Sequence, residues 1–188
     1  MKTEIIAIAD ESGSMNSVVD DANGGFQNFV NEQRDVPGEA RMTLIKFANH
    51  VHRVYQGVDI KQAPPLNLRP RGNTALYDAI GMTLGEQQDR IKKEGWADLV
   101  IVMVMTDGQE NASVEYTKEG IATIVKMAES NGWKFIWMMS NQDAFTTARA
   151  MGSSGAMAMS KAATPQGERD SYSYASVETR SLRAGDKP

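Results

Sequence analysis

Three near-continuous apolar runs, residues 3–9, 98–106 and 134–139, constrain this chain most. Each is bounded by polar or turn residues, and each is far short of the roughly 20 apolar residues needed to cross a bilayer. A strand with one wet face alternates apolar and polar residues. A run that is apolar at nearly every position must be covered on both faces, as in a parallel sheet flanked by helices. Helical periodicity lies between the runs. Val18, Val19, Ala22, Phe26, Phe29 and Val30 recur at helical spacing after Asn16 as the expected N-cap, although Gly24 and Gly25 each weaken a helix by about 1 kcal/mol relative to alanine. Residues 74–93 carry Leu76, Ile80, Leu84 and Ile91 on one face, with Gly95 as the stop. Ile121, Ile124, Val125 and Ala128 make a further face, with Thr117 as N-cap and Asn131-Gly132 as terminator.

Residues 41–47 and 51–55 read as two shorter strands around Ala48-Asn49-His50, an antiparallel edge hairpin. A late strand over 156–159 and a C-terminal helix within 168–183 complete the alternation. The expected fold class is therefore α/β: a doubly wound, mostly parallel central sheet with one antiparallel edge strand and helices on both faces. Residues 57–72, with Pro64, Pro65 and Pro70, read as a long loop inside one domain over 1–183, and 184–188 as a flexible tail. A length of 188 residues with 41% apolar content is enough for such a core.

The net charge of −4 and the lack of any Lys/Arg run argue against nucleic acid as partner. The absence of cysteine excludes disulfides, thiolate metal sites and cysteine nucleophiles. The apolar stretch at 5–9 is too short for a signal segment, so the expectation is a cytoplasmic protein with no membrane span.

Chemistry collects where the apolar runs end. The first leads into Asp10-Glu11-Ser12-Gly13-Ser14, which alternates a carboxylate with two hydroxyls. The second ends in Thr106-Asp107-Gly108, and Gly72-Asn73-Thr74 offers a third hydroxyl just before a helix. In open α/β sheets, ligands bind outside the carboxyl ends of strands where the strand order reverses, so these loops are candidates to meet. Oxygen-only donors select a hard cation, Mg²⁺ or Mn²⁺, with Ca²⁺ an option for a looser cage. Each piece alone has an ordinary role, as a helix cap or an Asp-Gly turn.

Together the pieces resemble the metal-ion-dependent adhesion site of von Willebrand factor A domains. Asp10-x-Ser12-x-Ser14 matches its first motif, residues 72–80 its threonine loop and following helix, and Met105-Thr106-Asp107-Gly108 its last motif. The similarity in element order extends to about Ser160. It implies a protein-binding domain in which Ser12 and Ser14 ligate the metal directly, Thr74 directly or through water, and Asp10 and Asp107 mainly through water. It also implies a partner that offers an Asp or Glu carboxylate to the ion.

Glu11, Met15, Gln109, Glu110 and Asn111 flank the motifs and are expected at the rim of the site; Arg69 and Arg71 either steer an acidic ligand or are solvated loop charges. His50 and His52 lie two apart on the hairpin, but no third ligand stands near them in sequence. The methionines and Trp96, Trp133 and Trp137 read as packing residues. Two other functions compete. One is a Mg²⁺-dependent phosphoryl-transfer or hydrolytic enzyme built on Asp10, against which stands the absence of phosphate-loop, dinucleotide and nucleophile-elbow motifs and of a second aspartate two residues after Asp10. The other is a structural subunit whose loops a metal merely staples.

Overall fold

The computed structural model describes residues 1–140, 143–154 and 157–185. Its strands are β1 (Lys2–Asp10), β2 (Glu39–Phe47), β3 (Val51–Asp59), β4 (Leu99–Thr106), β5 (Lys134–Ser140) and β6 (Met157–Lys161). They form one sheet in the order β3-β2-β1-β4-β5-β6, parallel throughout except for the β2–β3 hairpin at one edge. The helices are α1 (Val19–Arg34), α2 (Leu76–Glu94), α3 (Lys118–Ser130), α4 (Ala144–Ala150) and α5 (Pro165–Ala184). The strands from the three apolar runs occupy the centre of the sheet, where both faces need cover.

Strand alternation sorts that cover into two cores. Ile5, Ala7 and Ala9 of β1 face Phe26 and Phe29 of α1 and Tyr172 and Ala175 of α5. Ile6 and Ile8 face Leu76 and Ile80 of α2, Val125 of α3 and Ala148 of α4. Gly25 explains the weak spot in α1: a Cβ there would lie 2.3 Å from the Tyr172 ring, so its absence lets α5 close on α1. The Tyr172 ring then meets Phe26 edge-on at 6.4 Å.

Several expectations hold at the level of single residues. Gly95 ends α2 in the left-handed region at φ +58, and Thr117 caps α3 by accepting from the Gly120 N–H. Others shift. Asn16 does not cap α1; residues Gly13–Ser17 form a 3₁₀ turn, Asn16 Nδ2 donates to Gly13 O, and α1 starts at Val19. The edge hairpin is longer than expected, and the following loop is anchored because Ala63, Leu66 and Leu68 enter the α1 side of the core. The late strand runs over Met157–Lys161, and Ala156 lies outside the described residues. Helix α5 starts earlier than expected because Thr164 caps it and Pro165 takes its first turn. It reaches Ala184; residues 186–188 of the expected tail lie outside the described residues. Helix α4 was not foreseen. No helix among the described residues is long and apolar enough to cross a membrane.

Candidate metal centre

The chain leaves β1 toward β2 on one side and returns at β4 on the other, so the strand order reverses between β1 and β4. The crevice at their carboxyl ends is the expected ligand position of such a sheet. Asp10 ends β1 and Thr106 ends β4, one step beyond the paired Ala9 and Met105. Thr106 Oγ1 donates to Asp10 Oδ2 at 2.6 Å, and the Ser12 N–H donates to Asp10 Oδ1 at 2.7 Å. Both oxygens of this carboxylate are thereby oriented.

The hydroxyls continue the chain of contacts. Ser12 Oγ and Ser14 Oγ share a hydrogen bond of 3.0 Å, and Ser14 Oγ donates to Asp107 Oδ1 at 2.6 Å. Thr74 joins from the third loop, fixed at both backbone groups by Asn111: its N–H donates to Asn111 Oδ1 at 2.9 Å, and its carbonyl accepts from the Asn111 N–H at 3.0 Å. Gly108 is the space these loops share. A Cβ on it would lie 2.7 Å from Thr74 Oγ1 and 3.5 Å from Ser14 Oγ. Asp10, Ser12, Ser14, Thr74 and Asp107 thus converge, with four of them buried and Ser14 exposed at the mouth.

Burial is the main force pushing the Asp10 carboxyl above its ordinary value, against hydrogen bonds from Thr106 and Ser12 that pull it down; the charge of Asp107 pushes it further up. Two carboxylates and three hydroxyls, with no nitrogen or sulfur, fit a hard divalent cation. Among the described residues no group of three or more His, Cys, Asp or Glu is placed to hold a metal, so a cation here depends on the hydroxyls.

A second tier of acids holds the loops in place. Glu110 accepts from the N–H groups of Tyr77, Ala112 and Ser113, and Asp78 from those of Val114, Glu115 and Tyr116, each of the three at 2.9 Å. Residues 110–116 are thereby pinned to the start of α2. On the other flank, Asn49 Oδ1 accepts from the Asn73 N–H at 3.0 Å, and Gly72 (φ +70) gives its carbonyl to the Gly13 N–H. A Cβ at Gly72 would lie 2.0 Å from Asn49 Oδ1.

These contacts correct the expected rim. Met15 is a core residue, and Glu11 is buried, accepting from Lys46 Nζ and the Arg69 N–H. Glu11 alternates with Ser12 in extended chain and points the other way, whereas Met15 is turned into the core from the 3₁₀ turn. Glu110 is partly buried as a clamp, while Asn111, which also clamps Thr74, is exposed at the rim with Gln109, Arg69 and Arg71. Thr106, Asn49 and Asp78 stood in the sequence only as members of motifs or turns, with no role given to their side chains. The bond from Thr106 to Asp10 needs the β1–β4 register to be seen, Asn49 carried no local signal, and Asp78 stood within the threonine-loop motif with nothing to show that residues 114–116 would donate to it. His50 and His52 are exposed and line one cleft. Trp137 is fully buried, and Trp96 carries Arg41 over its ring at 4.1 Å.

No sequence-family model and no curated protein sequence matches the chain. Solved structures do match in fold. The vWF domain of the type V pili tip protein Mfa5 from Porphyromonas gingivalis superposes with a TM-score of 0.68 at 11% identity, over 99% of this chain and 96% of that one. The SpRpn10 VWA domain gives 0.62 at 14%, over 91% and 93%. Manganese-loaded Plasmodium vivax TRAP protein gives 0.62 at 14%, over 95% and 73%. The chain spans less than half of the mussel byssus proximal thread matrix protein 1 that it also matches, 46% of that chain at a TM-score of 0.65. At these identities the likeness concerns the fold, and the fold of this chain is that of a von Willebrand factor A domain.

Proposed function

We propose that this domain binds one divalent cation, Mg²⁺ or alternatively Mn²⁺ or Ca²⁺, through Asp10, Ser12, Ser14, Thr74 and Asp107, and uses it to capture an Asp or Glu side chain of a partner protein. The observation that carries this reading is the hydrogen-bonded link from Asp10 through Ser12 and Ser14 to Asp107, which joins two loops at the switch point, with Thr74 of a third loop meeting them around Gly108. The description of the Plasmodium vivax neighbour as manganese-loaded supports a divalent ion in this fold. When bound, the ion supplies a positive centre for an incoming carboxylate. The chain's own part is to orient the donors. Thr106 and the Ser12 N–H hold Asp10, Asn111 holds Thr74, and exposed Ser14 leaves an approach from solvent. With neutral hydroxyls in direct contact and Asp10 and Asp107 acting mainly through water, part of the ion's charge is left for the partner.

In this reading the cluster binds a partner; beyond Asp10 and Asp107 its five side chains include no group to act as general acid or base. Affinity capture from a source lysate tests the reading. The partner is retained with Mg²⁺, lost with EDTA, and weakened by Thr74→Ala. A partner retained equally by metal-free protein would overturn it.

A further inference from the structure

Beside the threonine loop lies a cleft of about 770 Å³, between the β2–β3 turn and residues 112–115. Gly72 lines this cleft and also bonds under the first hydroxyl motif, two residues from Thr74. Two extended residues reach at most about 7 Å, so the cleft opens within one short step of the metal-binding oxygens. Most of its exposed lining residues are polar, and two apolar side chains stand out among them. Val114 is 86% exposed and Met82 47% exposed, and Val51 and Ala48 line the same cleft from the β2–β3 side.

Val114 is not exposed because its loop is loose. The N–H groups of Val114, Glu115 and Tyr116 are all fastened to Asp78, which itself lies in the cleft wall. An apolar side chain held rigidly in water is preorganised for an occupant, because its ordering cost falls on folding rather than on binding. Position selects what that occupant is, since Gly72 joins the cleft to the threonine loop. The lining acids Glu11 and Asp78 are engaged by internal donors, whereas Arg71, His50 and His52 are exposed along the same wall, with Glu115 the one exposed acid of the lining.

We propose that this cleft is a second recognition subsite, which takes an apolar side chain lying within a few residues of the partner's metal-bound carboxylate. The inference rests on the metal-dependent capture proposed above. The occupant is an acidic-apolar segment of extended polypeptide, its acid at the hydroxyl cluster and its apolar residue between Met82 and Val114. A metal-bound acid alone gives little selectivity among proteins, since every partner surface carries Asp and Glu. The neighbouring cleft supplies it.

The test uses the full chain in Mg²⁺, titrated with short Ser/Gly peptides carrying a central Asp, with or without one Leu at each neighbouring position. Methyl NMR of Met82 and calorimetry provide the readouts. At the best position Leu tightens binding roughly fivefold over the Asp-only peptide, as partial burial of one such side chain gives. Met82 shifts with it. Val114→Ser and Met82→Ser each remove that gain and leave the affinities for Mg²⁺ and for the Asp-only peptide unchanged. A Met82 methyl that no Leu peptide moves, or a gain that survives in both variants, would overturn the proposal. Hexanoate that matches the best Leu peptide would overturn the assignment to polypeptide. Calorimetry with Mg²⁺ separates the two readings: absent metal binding refutes the centre, whereas intact metal binding with a silent Met82 refutes the cleft alone.

Discussion

Gly108→Ala should separate metal binding from folding. Gly108 has no positive φ, so its backbone accepts alanine, and the loss of chain freedom in the unfolded state favours the variant by about 0.4–1 kcal/mol. The new Cβ, however, would lie 2.7 Å from Thr74 Oγ1, about 0.7 Å inside ordinary contact. Thr74 cannot retreat freely, because Asn111 holds its backbone at both N–H and carbonyl. Metal–ligand distances tolerate errors of about 0.2 Å, and Mg²⁺ enforces its geometry more strictly than Ca²⁺. The metal-free variant should therefore unfold within about 2 kcal/mol of wild type in urea, an overpacking cost of about 1–3 kcal/mol being partly offset by the stiffer unfolded chain. Its Mg²⁺ and Mn²⁺ affinities should fall at least about tenfold by calorimetry, with a smaller loss for Ca²⁺. Mn²⁺ affinity within about twofold of wild type, a change of less than half a kcal/mol, would refute the claim that these loops meet around an ion.

Three further outcomes follow from named contacts. Asp10→Asn should abolish the rise in melting temperature that Mg²⁺ gives wild type, about 2.7 kcal/mol at a hundredfold excess over Kd, which differential scanning calorimetry reads directly. Asp78→Ala strips three backbone N–H groups of their acceptor and should cost about 2–3 kcal/mol in urea melts while lowering Mn²⁺ affinity through the loosened loop. Lys161 and Glu168 form a buried ion pair, yet burial still holds the Glu168 carboxyl above its ordinary value, against the pull of Lys161. A raised carboxyl contributes stability that is present below its unfolded value and lost as pH rises through the folded one. Lys161→Met should therefore cost about 3–5 kcal/mol near neutral pH and less under acid, and adding Glu168→Leu should restore most of it.

The fold was legible where one physical demand dominated. The runs that became β1, β4 and β5 are apolar because both faces are covered, and Gly95 and Thr117 mark helix ends by local chemistry alone. Helix α4 was not legible, since seven residues bury only Ala144 and Ala148 and its one local cue is the Asp143 cap. The five oxygen-bearing side chains could be picked out because each sits at the end of a predictable strand or start of a predictable helix. What holds them could not. Asn111, Asn49 and Thr106 act across loops that approach only in the folded chain, and no spacing in the sequence encodes those partners. The cleft between Met82 and Val114 was hidden for the same reason, because its walls lie more than thirty residues apart.

Crystals grown with Mn²⁺ and measured at a wavelength where manganese scatters anomalously test the central claim most directly. The account predicts one strong anomalous peak in contact with Ser12 Oγ, Ser14 Oγ or Thr74 Oγ1, with Asp10 and Asp107 close enough to bond to it directly or through water. A peak at His50 and His52 instead, or none at the ends of β1 and β4, would contradict it.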